Sequence, residues 1–403
     1  MIRKLLGKVE GDRYIWLIMI CLAIFSILSV YSASGTLAFR NHSGQTEIYL
    51  FRHSVLILMG LGLMVLASKA NYRIYSRLAQ IFLWVSIPLL VITLIFGSDI
   101  NDARRWITVP VIHISFQTSD LAKVALIMYV ARFLSRRQED VKDFYRGFLP
   151  IILIITMVTL LIAIADFSSA AVLFATSLLL LFIGRVRLRY IAATVAVASF
   201  AFAFMVLLAY QFPHVGRLGT WKSRIESFVS TDGEPAYHVQ QSKIAIAEGG
   251  VLGKGPGNSI QKNFLPNSFS DYIFSVIIEE YGLLGAGFLI FLYLAFLYRS
   301  IKIIIRSPGT FGALLAAGLA FSLVIQALVN MAVAVDLLPS TGLPLPLVSM
   351  GGTSLWFTGL AVGIILSVSR QSDTERAAAG DAETSETARE EAGGNYQRRG
   401  AWQ

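Results

Sequence analysis

Apolar residues along this chain come in long unbroken runs, without the alternation of a half-buried strand or the single stripe of a surface helix. A helix needs about 20 apolar residues to cross the hydrocarbon core of a bilayer. Ten runs of that order can be marked, at 14–33, 53–69, 78–97, 119–134, 148–164, 169–184, 190–210, 271–297, 310–331 and 345–368. The pattern predicts an all-α polytopic membrane protein of about ten transmembrane helices. The first run, YIWLIMICLAIFSILSVYSA, is as long as a spanning helix and is followed by many others, so it reads as the first span and not as a signal peptide.

The connections between runs alternate in character. One set is short and basic: Arg3, Lys4, Lys8 and Arg13; Lys69, Arg73 and Arg77; Arg132, Arg136, Arg137, Lys142 and Arg146; Arg185, Arg187 and Arg189; Arg299, Lys302 and Arg306; then Arg370. The positive-inside rule puts these in the cytoplasm, together with both termini. The other set is then extracytoplasmic. Its largest member is 211–270, between the seventh and eighth spans, with shorter ones near 34–52, 98–118, 165–168 and 332–344. Residues 1–370 read as one transmembrane domain. The segment 371–403, QSDTERAAAGDAETSETAREEAGGNYQRRGAWQ, is small, polar and charged, and is expected to be a disordered cytoplasmic tail.

Composition agrees with this picture, at 55% hydrophobic and 15% charged residues. The net charge of +9 would suggest nucleic acid in a soluble chain, but here the basic residues are sorted by side of the membrane, and no nucleic-acid partner is expected. Cys21 is the single cysteine and lies in the first span, which excludes a disulfide framework and a thiolate metal cluster. The five histidines, His42, His53, His113, His214 and His238, show no metal-ligand spacing.

The chemistry is to be sought on the outer side. Asp271 opens the eighth span, where it could cap the helix or act in a site. Glu279 and Glu280 follow on the same helix, roughly 12 to 13 Å further along. Carboxylates at such depth cost on the order of 3 kcal/mol each unless paired or facing a wet cavity, so they imply a polar core. Asp120 and Lys123 share a face at the start of the fourth span and could form a simple intrahelical pair. Arg104, Arg105 and Trp106 precede them, and Arg52 sits at the outer end of the second span; arginine forks match phosphate oxygens, although Arg52 could equally snorkel.

The outer loop AEGGVLGKGPGNSIQKNFLPNS carries Lys254 and Lys262 among glycines that suit either a flexible linker or a backbone approaching a ligand. It is not a phosphate-binding P-loop, since Gly255 follows Lys254 where that motif has Ser or Thr. A second corner, DLLPSTGLPLPLVSMGGTS, suggests irregular backbone lining a cavity. Asp166 is expected to cap the sixth helix. The residues alone reach an outward-open intramembrane cavity with carboxylates and cations, which suits a transferase acting on a lipid headgroup or a transporter of one.

Four fragments, RRWI, FQTSDLAK, GGVLGKGPGNSIQKNFLPNSFSDYIFSVIIEEYGLLG and LLPSTGLPLPLVSMGGTSLW, occur in this order across the spans. Together they resemble the SEDS family of FtsW and RodA over roughly residues 14–370. The resemblance implies a peptidoglycan glycosyltransferase that polymerises lipid II outside the cytoplasmic membrane and works with a class B penicillin-binding protein. It puts the family's essential outer-loop aspartate on Asp271, as the proton acceptor, and the family's acidic and lysine positions on Asp120 and Lys123. Arg52, Arg105, Lys254 and Lys262 join them as expected substrate-binding cations, with Glu279 and Glu280 as a structural polar core. A divalent cation, Mg or Mn, could share the charge of the pyrophosphate. The chain departs from the family at Thr118 and Asp120, where Pro and Glu are usual, and at Ala165, where Pro precedes the aspartate. Its wording around GPGNSIQKNFLPNSFSDY, with the charged tail, is closer to division members than to elongation members, which implies divisome partners; RodA-type elongation, a lipid II flippase and a non-catalytic scaffold are the alternatives.

Overall fold

The computed structural model describes residues 11–35, 46–100, 103–109, 114–212 and 237–375, with isolated positions 219, 222, 226 and 228 between the last two segments. His42, His113, His214, most of 213–236 and the tail from 376 onward lie outside the described residues, as does the side chain of Arg104.

Helices α1 (Arg13–Ala33), α2 (Thr46–Lys69) and α3 (Tyr72–Phe96) open the bundle. The Asp12 carboxylate accepts from the backbone N–H groups of Tyr14 and Ile15, which caps α1. It also takes a hydrogen bond from Arg299 Nε at 3.0 Å, so the cap ties the first helix to a much later one. Helix α2 starts seven residues before the apolar run it contains, because Thr46, Glu47 and Arg52 interrupt the apolar pattern without ending the helix.

After α3 the chain forms a three-stranded antiparallel sheet, β1 (Ser98–Ile100), β2 (Ala103–Val109) and β3 (Ile114–Gln117), in the order β1-β2-β3. This small sheet is an addition to the all-helical expectation. Its β-branched stretch of Ile107, Thr108 and Val109 is short and sits between spans, where it read as a connection. Trp106 pairs across the ladder with Gln117, the residue before the next helix.

Next come α4 (Thr118–Arg136), α5 (Leu149–Ala165), α6 (Phe167–Ile183) and α7 (Leu188–Gln211). Asp166 caps α6 through the N–H of Ser169, as expected. Helix α8 (Tyr237–Gly249) lies in the long outer connection, and α9 (Ile273–Arg306), α10 (Thr310–Ala334) and α11 (residues 354–375) complete the chain. Seven helices among the described residues are long and apolar enough to cross a membrane; α4, α6 and α11 fill the remaining predicted spans. Helix α11 begins nine residues later than its apolar run, because 335–353 is irregular. The core sits where α4, α10 and α11 pack, with Ala122, Leu126, Ala317, Ala320, Val362 and Leu366 all buried. Helix α7 is peripheral, and only Ile191 and Ala209 along it are buried.

Helix α9 is broken. Gly282 has φ 66 and ψ −168, and a Cβ there would meet Val251 O at 2.2 Å. The break frees backbone groups that the outer loop satisfies: Lys254 N–H donates to Glu279 O at 2.9 Å, Gly255 N–H to Glu280 O at 2.9 Å, and Leu283 N–H to Gly250 O at 3.0 Å. Glu279 and Glu280 therefore stand in a short outer segment of α9, before the long apolar span, and not part-way along one continuous helix.

Helices α2 and α11 cross closely where Gly60 faces Gly359, since a Cβ on Gly359 would lie 2.1 Å from Gly60 O. Small residues let helices approach in this way inside membranes. Gly359→Ala is expected to destabilise the detergent-solubilised protein by about 1–3 kcal/mol through overpacking. Gly62→Ala, on the same helix as Gly60 but with nothing within 4 Å of its Cβ position, is the control that should not. Thermal unfolding of the two variants checks the difference.

Candidate active site

The connections at one end of the bundle converge on a cavity of about 870 Å³. Its walls come from five places: Arg52, Val55 and Met59 of α2; Arg105 and Trp106 of β2; Asp120 and Lys123 of α4; Asp166 and Ser169 at the start of α6; and Ser270 and Asp271 before α9, facing Gly342, Pro344 and Thr353. Sequence separation gives no hint of this meeting. Helix α2 supplies one wall that is apolar apart from Arg52, and the others mix polar groups with Trp106, Phe269, Pro344, Met350 and Trp356.

Asp271 stands just before α9 but is not its cap: the N-cap position belongs to Tyr272, without a side-chain hydrogen bond. The segment is held by its backbone instead. Asn267, with φ 54, turns the chain so that Asp271 N–H reaches Asn267 O at 3.1 Å. Asn330 of α10 donates from its Nδ2 both to Asp271 O at 3.0 Å and to Leu343 O at 2.7 Å. Ser349 Oγ donates to Ser270 O at 2.6 Å and accepts from Leu345 N–H at 2.8 Å, while Met350 N–H reaches Phe269 O at 2.9 Å. The irregular 342–350 segment and the 267–271 turn thus satisfy each other's backbone groups. With its main chain fixed, the Asp271 carboxylate accepts from Ser270 Oγ at 3.0 Å and borders the cavity.

The cations fall into two kinds. Arg105 bonds Asp166 at 3.2 Å, and Asp166 also accepts from Ser169 Oγ at 2.8 Å. Lys123 bonds Asp120 Oδ1 at 3.1 Å, leaving the buried Asp120 Oδ2 without a hydrogen bond. Arg52 is exposed to the cavity and has no ion pair among the described residues. A buried carboxylate oxygen with an empty acceptor position suits a hydroxyl donor. Arginine and lysine nearby suit an anionic group.

Lys254 and Lys262 are not brought to this cavity. Lys254 bonds Glu279 at 2.9 Å and also Glu248, which together hold its ammonium above the usual lysine range, with Glu248 contributing most. Lys262 bonds Ser32 Oγ at 3.1 Å and Gly257 O at 2.7 Å. Glu279 is fully buried and accepts from Lys254, Ser259 Oγ and the N–H groups of Ile260 and Gln261. Glu280 accepts from Ser32 and lies 4.0 Å from Lys262 Nζ. Both glutamates fasten the glycine-rich loop to the break in α9. Among the described residues no three His, Cys, Asp or Glu side chains stand close enough together to hold a metal ion. His53 is buried and 2.8 Å from Ser26 Oγ, away from any such cluster.

Asn330 and Ser349, which hold the backbone beside Asp271, are positions that the sequence did not single out. Asn330 is, with Gln326, one of two amides four residues apart within an apolar run, and intramembrane polar residues are a recognised sign of function.

A family model described as a cell cycle protein, the FtsW/RodA/SpoVE family, matches residues 12–374. The chain is 34% identical over 377 residues to a probable peptidoglycan glycosyltransferase FtsW of Trichlorobacter lovleyi, across 91% of this chain and 95% of that one. It is 36% identical over 372 residues to the corresponding protein of Geobacter sulfurreducens, across 89% and 96% of the two. Its fold matches a chain from a peptidoglycan synthase complex that coordinates polymerisation and crosslinking, with TM-score 0.71 and 25% identity over 90% of this chain and 98% of that one. RodA of Thermus thermophilus matches with TM-score 0.66 and 25% identity, over 90% and 98%. The quoted fragments, the ten helices and these matches agree: the chain belongs to the FtsW/RodA/SpoVE family of multi-pass membrane proteins.

Proposed function

We propose that the chain is a peptidoglycan glycosyltransferase of the FtsW type, which polymerises lipid II into glycan strands at the outer face of the cytoplasmic membrane during cell division. The observation that carries this reading is the cavity that joins the Asp271 carboxylate to Arg52, Arg105 and Lys123. Relatives named for this activity at 34% and 36% identity support it. A structural neighbour from a synthase complex supports a crosslinking partner, which we assign to the class B penicillin-binding proteins. The basic connections support cytoplasmic termini and an extracytoplasmic site.

In the reaction, the Asp271 carboxylate accepts the proton of the 4-hydroxyl of the acceptor N-acetylglucosamine. The oxygen forms a bond to the anomeric carbon of the donor N-acetylmuramic acid, and the bond from that carbon to the pyrophosphate oxygen breaks. Undecaprenyl pyrophosphate leaves with the electron pair. A general base contributes roughly 10² to 10⁴ in rate when it is within hydrogen-bond reach of the hydroxyl. Arg52, with Lys123 and Arg105 sharing their paired carboxylates, meets the growing negative charge of the pyrophosphate. Asp120 holds Lys123 at the cavity wall.

Asp271→Asn preserves an acceptor for Ser270 Oγ and leaves the Asn330 and Asn267 backbone bonds in place. It removes the proton acceptor. Polymerisation of lipid II by the purified variant should fall by about a hundredfold or more, while its melting temperature stays close to that of the parent. Near-normal polymerisation by the folded variant would move the base to another carboxylate. Asn330→Ala should behave differently, losing about 1–3 kcal/mol of stability because two buried carbonyls lose their donor, and losing activity as Asp271 shifts. Parallel thermal unfolding and polymerisation assays separate the two. A reporter at Asn258 should read as extracytoplasmic, and a cytoplasmic signal there would contradict the topology.

A further inference from the structure

The other end of the bundle holds a second cavity, of about 430 Å³, between the start of α3, the end of α4 and the start of α10. Asp120 and Arg136 border the two cavities from opposite ends of α4, roughly 24 Å apart along its axis. Three guanidinium side chains line this inner cavity, Arg73, Arg77 and Arg136, beside Ser76 and Ser135. Arg73 pairs with Glu375 at 3.2 Å. Among the described residues neither Arg77 nor Arg136 has an ion-pair partner.

Helix α10 adds to the same field. Gly309 is at its N-cap and no side chain caps it, so its first-turn N–H groups and the positive end of its dipole face the region that Gly309, Thr310 and Phe311 border. With one carboxylate, Glu375, for three guanidinium groups among the described residues, the cations repel one another, and a further anion offsets that repulsion. Tyr72 and Phe311 stack at a centroid distance of 6.2 Å on one wall, and Ile74 beside Arg73 is exposed. The site therefore offers cations and apolar surface together, at the level where three spans end.

We propose that this inner cavity binds the phosphate of an anionic phospholipid. Arginine forks match phosphate oxygens in pairs, and a lipid can deliver its phosphate to the ends of spans while its chains stay in the bilayer. Basic pockets between transmembrane helices on the cytoplasmic side take anionic headgroups in this way. Naming the leaflet as cytoplasmic rests on the topology proposed above; the binding itself does not.

The test uses the full chain in detergent after delipidation, with dioleoylphosphatidylglycerol, dioleoylphosphatidylcholine and inorganic phosphate as probes, read by native mass spectrometry and thermal unfolding. Phosphatidylglycerol should bind saturably and raise the melting temperature, and phosphatidylcholine should do neither. The Arg77→Gln/Arg136→Gln variant should lose about tenfold or more in affinity. The Arg77→Lys/Arg136→Lys variant should retain most of it, which separates lost charge from lost fold. Equal binding of the two lipids, or unchanged affinity in the glutamine variant, overturns the proposal. Displacement of the lipid by millimolar inorganic phosphate also overturns it, by making the guest a soluble anion. Binding that emerges only when residues after Glu375 are removed overturns it too, by making the acidic stretch 381–391 the resident. A reporter that puts this end outside would sink the topology and leave the detergent result standing.

Discussion

Backbone groups withdrawn from water must find partners inside the protein, and in this bundle two irregular regions meet that demand by bonding to other parts of the chain. The turn at 267–271 and the segment at 342–350 are joined through Asn330, Ser349 and the Met350 N–H. The break at Gly282 is closed by Lys254, Gly255 and Gly250 of the outer loop. Asp271 owes its place to the first of these seams. The glycine-rich loop owes its course to the second, with the buried Glu279 collecting its N–H groups. Loosening either seam would expose unpaired backbone and move the site walls together.

Electrostatics in the cavity follow from this scaffold. Two of its cations are already committed, Arg105 to Asp166 and Lys123 to Asp120, which lowers the cost of holding them partly buried. In the proposed reaction, an incoming pyrophosphate shares those pairs and engages Arg52 directly. The arrangement keeps charge in place before substrate arrives, as a site for a developing anion requires. At the opposite end, Arg77 and Arg136 lack such carboxylates among the described residues, and that contrast underlies the proposed anion site in the second cavity.

Much of the fold was legible because bilayer crossing imposes a length and a polarity on each span. The runs at 14–33, 78–97 and 190–210 fall almost wholly within α1, α3 and α7. The rest depended on contacts between distant residues. Hydropathy carried the tenth span back to 345, yet Leu345 to Ser349 are buried while irregular, since Ser349 Oγ, the Tyr293 hydroxyl and Ser26 Oγ answer the backbone of Leu345, Pro346 and Val348. Lys254 and Lys262 read as substrate cations because nothing local reveals Glu279 and Glu280, about twenty residues on, as their partners. Asp120, Lys123 and Asp271, singled out because charges at the ends of spans are costly without a purpose, line one cavity. Arg105 and Asp166 could be named, but not as a pair.

The central claim is that this chain by itself forms glycosidic bonds, and purified protein in detergent tests it most directly, because no membrane remains to be crossed. Supplied with lipid II and no transpeptidase, the chain is predicted to yield glycan strands and release undecaprenyl pyrophosphate in step with them. A folded, monodisperse preparation that makes no polymer, yet moves lipid II between leaflets once reconstituted in vesicles, would contradict the account and mark the cavity as a transport site.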